Sequence, residues 1–134
     1  MPLKIEIRKS RQEDVKSIKK MDDFCLIAKH PPNYFLKNLD NMLVAFEERR
    51  IVGYIMFRKE EVLNLVIHPD FRRKGIAKKM MKELMKKSKR LLCRTRENNQ
   101  VAFTFLKNLG FKEKRRIKKY YKNGDNAIEM EWVR

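Results

Sequence analysis

The chain has 134 residues, the length of one domain around one core, and we read 1–134 as a single domain. Lysine and arginine number 34 against 17 aspartates and glutamates, a net charge of +17, which favours anionic partners: nucleotide phosphates, nucleic acid or acidic protein surfaces. A membrane span is excluded because no stretch approaches roughly 20 apolar residues. A metal site is not expected, since Cys25 and Cys93 stand in no ligand spacing and His30 and His68 form no cluster.

The first residues, Met1 to Ile5, carry no signal-peptide apolar run, so a cytoplasmic protein with two buried, reduced thiols is expected, as a monomer or dimer. Leu3, Ile5 and Ile7 alternate with Lys4, Glu6 and Arg8, which predicts a half-buried first strand. Ser10 and Glu13 have capping-box spacing, and Val15, Ile18, Met21 and Cys25 follow at helical intervals. Pro31 and Pro32 break that helix, and a short second one is predicted over about 33–39. Residues 42–46 and 51–57 read as an antiparallel hairpin, and 62–67 as a central strand buried on both faces, interrupted by Asn64.

From 75 to 88 the pattern is that of a strongly amphipathic helix, with Ile76, Met80 and Leu84 on one line and lysines opposite. A strand over 91–95 precedes a helix capped by Asn98 or Asn99, with Val101, Ala102, Phe105, Leu106 and Leu109 inward and Gly110 at its stop. Two last strands, about 114–121 and 126–133, flank Asn123-Gly124, a hairpin-turn signal; Glu129 and Glu131 then face the basic strand. The expected fold is α/β, a mixed and mostly antiparallel sheet of six to seven strands flanked by four helices.

Chemistry concentrates in Leu65-Val66-Ile67-His68-Pro69-Asp70-Phe71-Arg72-Arg73-Lys74-Gly75-Ile76-Ala77. A buried strand runs into a cationic turn, and the turn opens a helix. The first turn of a helix leaves backbone N–H groups unpaired and carries partial positive charge, and a glycine at its mouth leaves room for a phosphate. Arg72, Arg73 and Lys74 add attraction. The same pattern also suits an ordinary strand-to-helix turn with solvated cations.

Arg72-Arg73-Lys74-Gly75-Ile76-Ala77 resembles the Arg/Gln-x-x-Gly-x-Gly/Ala signature of the GNAT acetyltransferase superfamily. The preceding strand, the 44–55 hairpin and the Asn99-Gln100-Val101-Ala102 to Gly110-Phe111 segment resemble its other blocks, so the resemblance covers nearly the whole chain. It implies acetyl-coenzyme A as co-substrate, its diphosphate on the amides of the turn, Asn99 as a contact, and its pantetheine arm on the backbone of Leu65, Val66 and Ile67.

The catalytic pattern departs from that family. Leu106 stands where many members carry a tyrosine acid, and Arg94 where some carry a glutamate base. The resemblance leaves Glu61, at the start of the central strand, as a candidate base; a plain turn residue is the competing reading. Asn64 is a candidate substrate or water ligand, or a satisfied core polar group.

The 115–130 segment resembles the Tyr-Tyr hairpin of the ribosomal-protein and Ard-like N-terminal acetyltransferases, which implies that Tyr120 and Tyr121 grip the substrate peptide. Pro31-Pro32-Asn33-Tyr34 resembles their substrate-side loop, with Tyr34 the candidate contact and Pro32 replacing an acidic residue some members have. The expected reaction is acetyl transfer to a primary amine, foremost a protein N-terminal α-amine. Protein lysine, aminoacyl-tRNA and a non-catalytic coenzyme or nucleic-acid module stay open, as does RNA or ribosome contact through the basic surface. Polyamines and aminoglycosides are poorer acceptors, because cationic substrates prefer acidic clefts.

Overall fold

The computed structural model describes residues 4–25 and 30–134. Its seven strands are β1 (Ile5–Lys9), β2 (Met42–Glu47), β3 (Arg50–Arg58), β4 (Glu61–Ile67), β5 (Arg90–Arg96), β6 (Lys112–Ile117) and β7 (Ala127–Val133). They form one sheet in the order β1-β2-β3-β4-β5-β7-β6, antiparallel throughout except for β4–β5. The helices are α1 (Val15–Cys25), α2 (Pro32–Lys37), α3 (Ile76–Lys86) and α4 (Gln100–Asn108).

Each face of the sheet builds its own core. Ile76, Met80, Met81 and Leu84 of α3 and Leu106 of α4 pack with Ile55, Val62, Leu91, Ile128 and Met130. On the other face, Val15, Ile18 and Met21 of α1 and Phe35 of α2 pack with Val44, Tyr54, Met56 and Val66. β4 therefore serves two cores, which explains its nearly unbroken apolar run.

Several local expectations change. Leu3 lies outside the described residues, and β1 runs from Ile5. Ser10 does not cap α1: its hydroxyl donates to the Leu39 carbonyl at 2.6 Å. The box sits one residue later, where the Arg11 N–H donates to Asp14 Oδ2 at 2.8 Å ahead of a 3-10 turn, Gln12–Asp14. Arg8 fixes that shift by gripping the buried Asp14 with two bonds of 2.8 and 3.1 Å. Helix α2 starts at Pro32, where proline's missing N–H costs nothing, and ends at Lys37 rather than near 39. Both cysteines are only partly buried.

The C-terminal hairpin departs most. β6 stops at Ile117, and residues 118–126 form a folded loop in place of a two-residue turn. Asn126 Oδ1 accepts from the Lys119 N–H at 3.0 Å, with Lys119 at φ +51°, and this turns the chain out of the strand. Gly124, at φ +91°, donates its N–H to the Tyr121 carbonyl at 2.9 Å. Tyr120 and Tyr121 thus belong to the loop and not to a strand.

Candidate functional site

The cationic turn leaves β4 through His68, whose Nδ1 accepts from the Asp70 N–H at 3.1 Å. Arg72 folds back to donate from Nε to the Ile67 carbonyl at 3.1 Å, and Arg50 braces the turn from β3 with its guanidinium 5.2 Å from the Phe71 ring centroid. Gly75 then caps α3 with φ +78°. The Lys79 N–H is bonded to the Gly75 carbonyl at 3.0 Å, so the amides of Ile76, Ala77 and Lys78 precede the helix's own ladder. A Cβ on Gly75 would meet nothing within 4 Å; the space before it is open.

That space is a cavity of about 430 Å³ between the turn and α4. Ile67, Phe71, Arg72, Arg73, Gly75, Ile76, Ala77 and Lys78 line one side, and Val101, Phe105, Asn108 and Leu109 the other. Val101, expected inward, is 83% exposed at the cavity mouth. It is the first of four positions at i, i+4, i+7 and i+8, a helical face that faces the cavity; the periodicity was legible, but not what it faces. Lys74 is exposed and outside the lining, and the Asn99 carboxamide oxygen is occupied by the Ala102 N–H at 3.1 Å as the cap of α4.

From the cavity an opening leads into the sheet. β4 and β5 pair with each other at Glu61–Leu92 and Val62–Cys93, with a bulge in β4 just beyond; past it β4 is bonded only to β3 and β5 only to β7. The His68 N–H donates to Val52 of β3 at 2.8 Å, which fixes the alternation. Val66 directs its backbone groups to β3, while Leu65 and Ile67 direct theirs into the gap. Of the three residues expected to offer backbone contacts, Val66 is thereby withdrawn. Thr95, on the opposite wall, carries a buried hydroxyl with no partner among the described residues.

The face of β5 opposite α3 and α4 carries Arg94 and Arg96. Arg94 hydrogen-bonds Glu61 through Nη1, donates from Nε to Glu129 Oε2 at 3.0 Å, and lies 3.5 Å from the Tyr120 hydroxyl. Glu129, only 2% exposed, also accepts from Arg115 Nε at 3.2 Å. Burial raises the Glu129 carboxyl, but the hydrogen bonds from Arg115 and Arg94 outweigh it and hold the group below its ordinary range. Arg94, expected only as a missing base, is the hub of this cluster.

The tyrosines of the loop meet edge to face at 5.0 Å, and the Arg96 guanidinium lies 4.0 Å from the Tyr121 ring centroid. Burial raises the Tyr121 phenol against the opposing pull of Arg96, so it stays a hydrogen-bond donor at neutral pH. Asn64 pairs with Met56 across β3 and, beyond the bulge, shares the face of Val66. On the same side, Tyr34 stacks on His30 at 4.3 Å. His30 is tied to the fully buried Asp22 of α1 through its N–H at 3.0 Å, and Tyr54 donates to the same carboxylate at 3.1 Å. Burial first, and Asp22 second, push the Tyr54 phenol far above its ordinary value. Among the described residues no group of three or more His, Cys, Asp or Glu side chains could hold a metal ion.

A cationic helix-mouth cradle beside a parted sheet suits a cofactor with a diphosphate and an extended arm. The sequence profile of the acetyltransferase (GNAT) domain matches residues 38–113, and the chain belongs to that family; it is an acetyl-coenzyme A-dependent N-acetyltransferase. It is 27% identical to the N-alpha-acetyltransferase of Saccharolobus solfataricus, in an alignment covering 92% of this chain and 90% of that one. Its fold matches Ard1 from Thermoplasma volcanium with a TM-score of 0.83 at 21% identity, over 96% and 97% of the two chains. It matches Arabidopsis thaliana NAA60 in complex with acetyl-CoA with a TM-score of 0.88 at 14% identity, over 98% and 100%.

Proposed function

We propose that this enzyme acetylates the N-terminal α-amine of a protein. One observation carries the reading: Glu61, at the closed end of the gap between β4 and β5, already has one oxygen engaged by Arg94. Proton removal is therefore weakly served, and the acceptor's own ionisation decides which amine reacts. At pH 7 an α-amine with a pKa near 8 is about 10% neutral, whereas a lysine ε-amine near 10.4 is about 0.04% neutral. That gap, a few hundredfold or about 3 kcal/mol, falls on the enzyme only for lysine. The name of the Saccharolobus relative, N-alpha-acetyltransferase, supports the same acceptor.

In this reading acetyl-coenzyme A occupies the cradle, with its diphosphate on the amides at Gly75 to Lys78 and its arm on Leu65 and Ile67. The amine enters from the tyrosine side, held by Tyr120, Tyr121, Tyr34 and Asn64. Its nitrogen attacks the acetyl carbonyl, the N–C bond forms, and the C–S bond breaks. A backbone N–H of the gap, Ile67 or Leu65, receives the developing oxyanion. The free oxygen of Glu61 takes the amine proton, directly or through water. Leu106 is 2% exposed and cannot protonate the sulfur; a thiol of pKa about 8.5 leaves as thiolate without an acid.

The test is acetylation of a peptide library with blocked ε-amines, read by thiol release and peptide mass. Modified N-termini support the reading; no turnover on these peptides, with turnover on free lysine ε-amines or on aminoacyl-tRNA offered in parallel assays, overturns it. Glu61→Gln is expected to lower kcat about 100-fold; full activity at neutral pH would remove Glu61 from the mechanism.

A second reading concerns where the enzyme works. Lys78, Lys82 and Lys86 recur at i, i+4 and i+8 on the exposed side of α3, a row rising about 6 Å per step. We propose this row, on the face opposite the tyrosine loop, as a docking surface for RNA.

A further inference from the structure

We propose that Arg94 and Arg96 are positioning residues for the acceptor side. Arg96 holds the tyrosine loop in place, and Arg94 locks that loop and Glu61 into one frame. The proposal rests on the N-terminal acetyltransferase reading and assigns two residues that the chemistry itself does not use. A guanidinium stays protonated throughout the working pH range, so neither arginine serves as a base.

Their contacts divide cleanly. Among the described residues the Arg96 side chain reaches only the loop: its Nη1 donates to Asn123 Oδ1 and to Asp125 Oδ2, both at 3.0 Å, and its guanidinium lies 4.0 Å from the Tyr121 ring centroid. Arg94 reaches the loop at Tyr120, with its Cζ 5.5 Å from that ring centroid, and reaches Glu61 on β4 through the same Nη1. Its Nε is anchored at 3.0 Å on Glu129, which is buried in β7 and held from β6 by Arg115. Three groups at fixed angles require a planar fork, which a lysine ammonium cannot supply. A shift of the loop thus moves Arg94, and Arg94 moves Glu61.

The two arginines therefore predict different kinetic losses. Arg96→Gln frees the loop alone and raises the peptide KM about tenfold with kcat within twofold. Arg94→Gln frees the loop and Glu61 together; it releases the engaged Glu61 oxygen, but loss of that carboxylate's position outweighs the release, raising KM by a similar factor and lowering kcat at least about tenfold. Arg94→Lys, which retains charge beside Glu61 but not the fork, restores more of kcat than of KM. The acetyl-coenzyme A dissociation constant, measured by calorimetry, stays within twofold in all three variants, which also shows that they fold.

Identical splits for Arg94→Gln and Arg96→Gln, or an unchanged kcat for Arg94→Gln, overturn the proposal. Hydrogen exchange provides a readout that does not depend on which amine is acetylated. Amides of residues 118–126 exchange faster in both variants if the arginines hold the loop, and unaltered exchange refutes it. Wild-type enzyme silent on peptides would defeat the acceptor reading, while the exchange experiment still decides the role of the arginines.

Discussion

At Gly75 two demands meet. The residue sits at φ +78°, where any side chain is strained, and it lines the cavity, with open space where a Cβ would stand. Gly75→Val is expected to lower acetyl-coenzyme A affinity at least about tenfold, read by calorimetry, and to reduce stability by about 1–2 kcal/mol. The strain means that stability is not spared. Glu129 governs a second outcome. Its carboxyl is held below its ordinary range, so its contribution to folding is complete above the unfolded value of about 4.3 and is lost as pH falls through the lower folded value. Urea midpoints measured down this acid limb should fall, and Glu129→Gln should flatten that part of the decline. Single residues were legible where the signal is local. Gly75, Gly110 and Asn99 follow from backbone rules that a few neighbours decide: Gly110 at φ +101° closes α4 with Phe111 N–H to Leu106 carbonyl at 3.0 Å. Arg94 was not legible, because its partners come from β4, β7 and a loop.

Elements were predicted in the right order because their periodicities are clean, yet the pairing between them determines the site. Nothing in residues 61–67 announces that β4 parts from β5 after two residue pairs; that depends on a bulge opposite Phe57 and on the β5 register. The turn at Asn123-Gly124 misled for a related reason, since the side chains of Asn123 and Asn126 accept from the backbone N–H groups of Asp125 and Lys119 and fold the loop against its own backbone. Gly53 shows how tightly the donor side is packed. A Cβ there would stand 2.7 Å from Ile67 Cδ1, 3.1 Å from the Val66 carbonyl oxygen and 3.3 Å from Met80 Sδ. Ile67 can rotate away but the backbone oxygen cannot, so Gly53→Ala is expected to cost about 1–3 kcal/mol in chemical denaturation. Because Ile67 lines the cavity, the same substitution should weaken coenzyme binding.

Across the whole molecule the excess of +17 is unevenly spread. Ion pairs offset Arg90, Arg94, Arg96 and Arg115 on the acceptor face. Among the described residues Lys78 and Lys82 make no ion pair, and Lys86 pairs only with Glu83 at 3.1 Å. Like charges one turn apart disfavour a helix, so this row is retained at a cost to α3. Binding to single-stranded RNA should weaken with salt, and neutralising Lys82, Lys86 and the exposed Lys89 to Gln should reduce the log–log slope by about two. Peptide acetylation should persist in that variant, whose changes lie outside the cavity. Equal binding of wild type and variant, or a preference for anionic vesicles, would count against an RNA partner.

The unpaired seam between β4 and β5 has a consequence for how such a protein can change. In the proposed reading donor and acceptor approach from opposite sides of one wall, and among the described residues no helix serves both. Substitutions that retune the acceptor would then accumulate around α1, α2 and the 118–126 loop without disturbing the cradle behind them. One scaffold can thus diversify its clientele while keeping its currency of activated acetate unchanged.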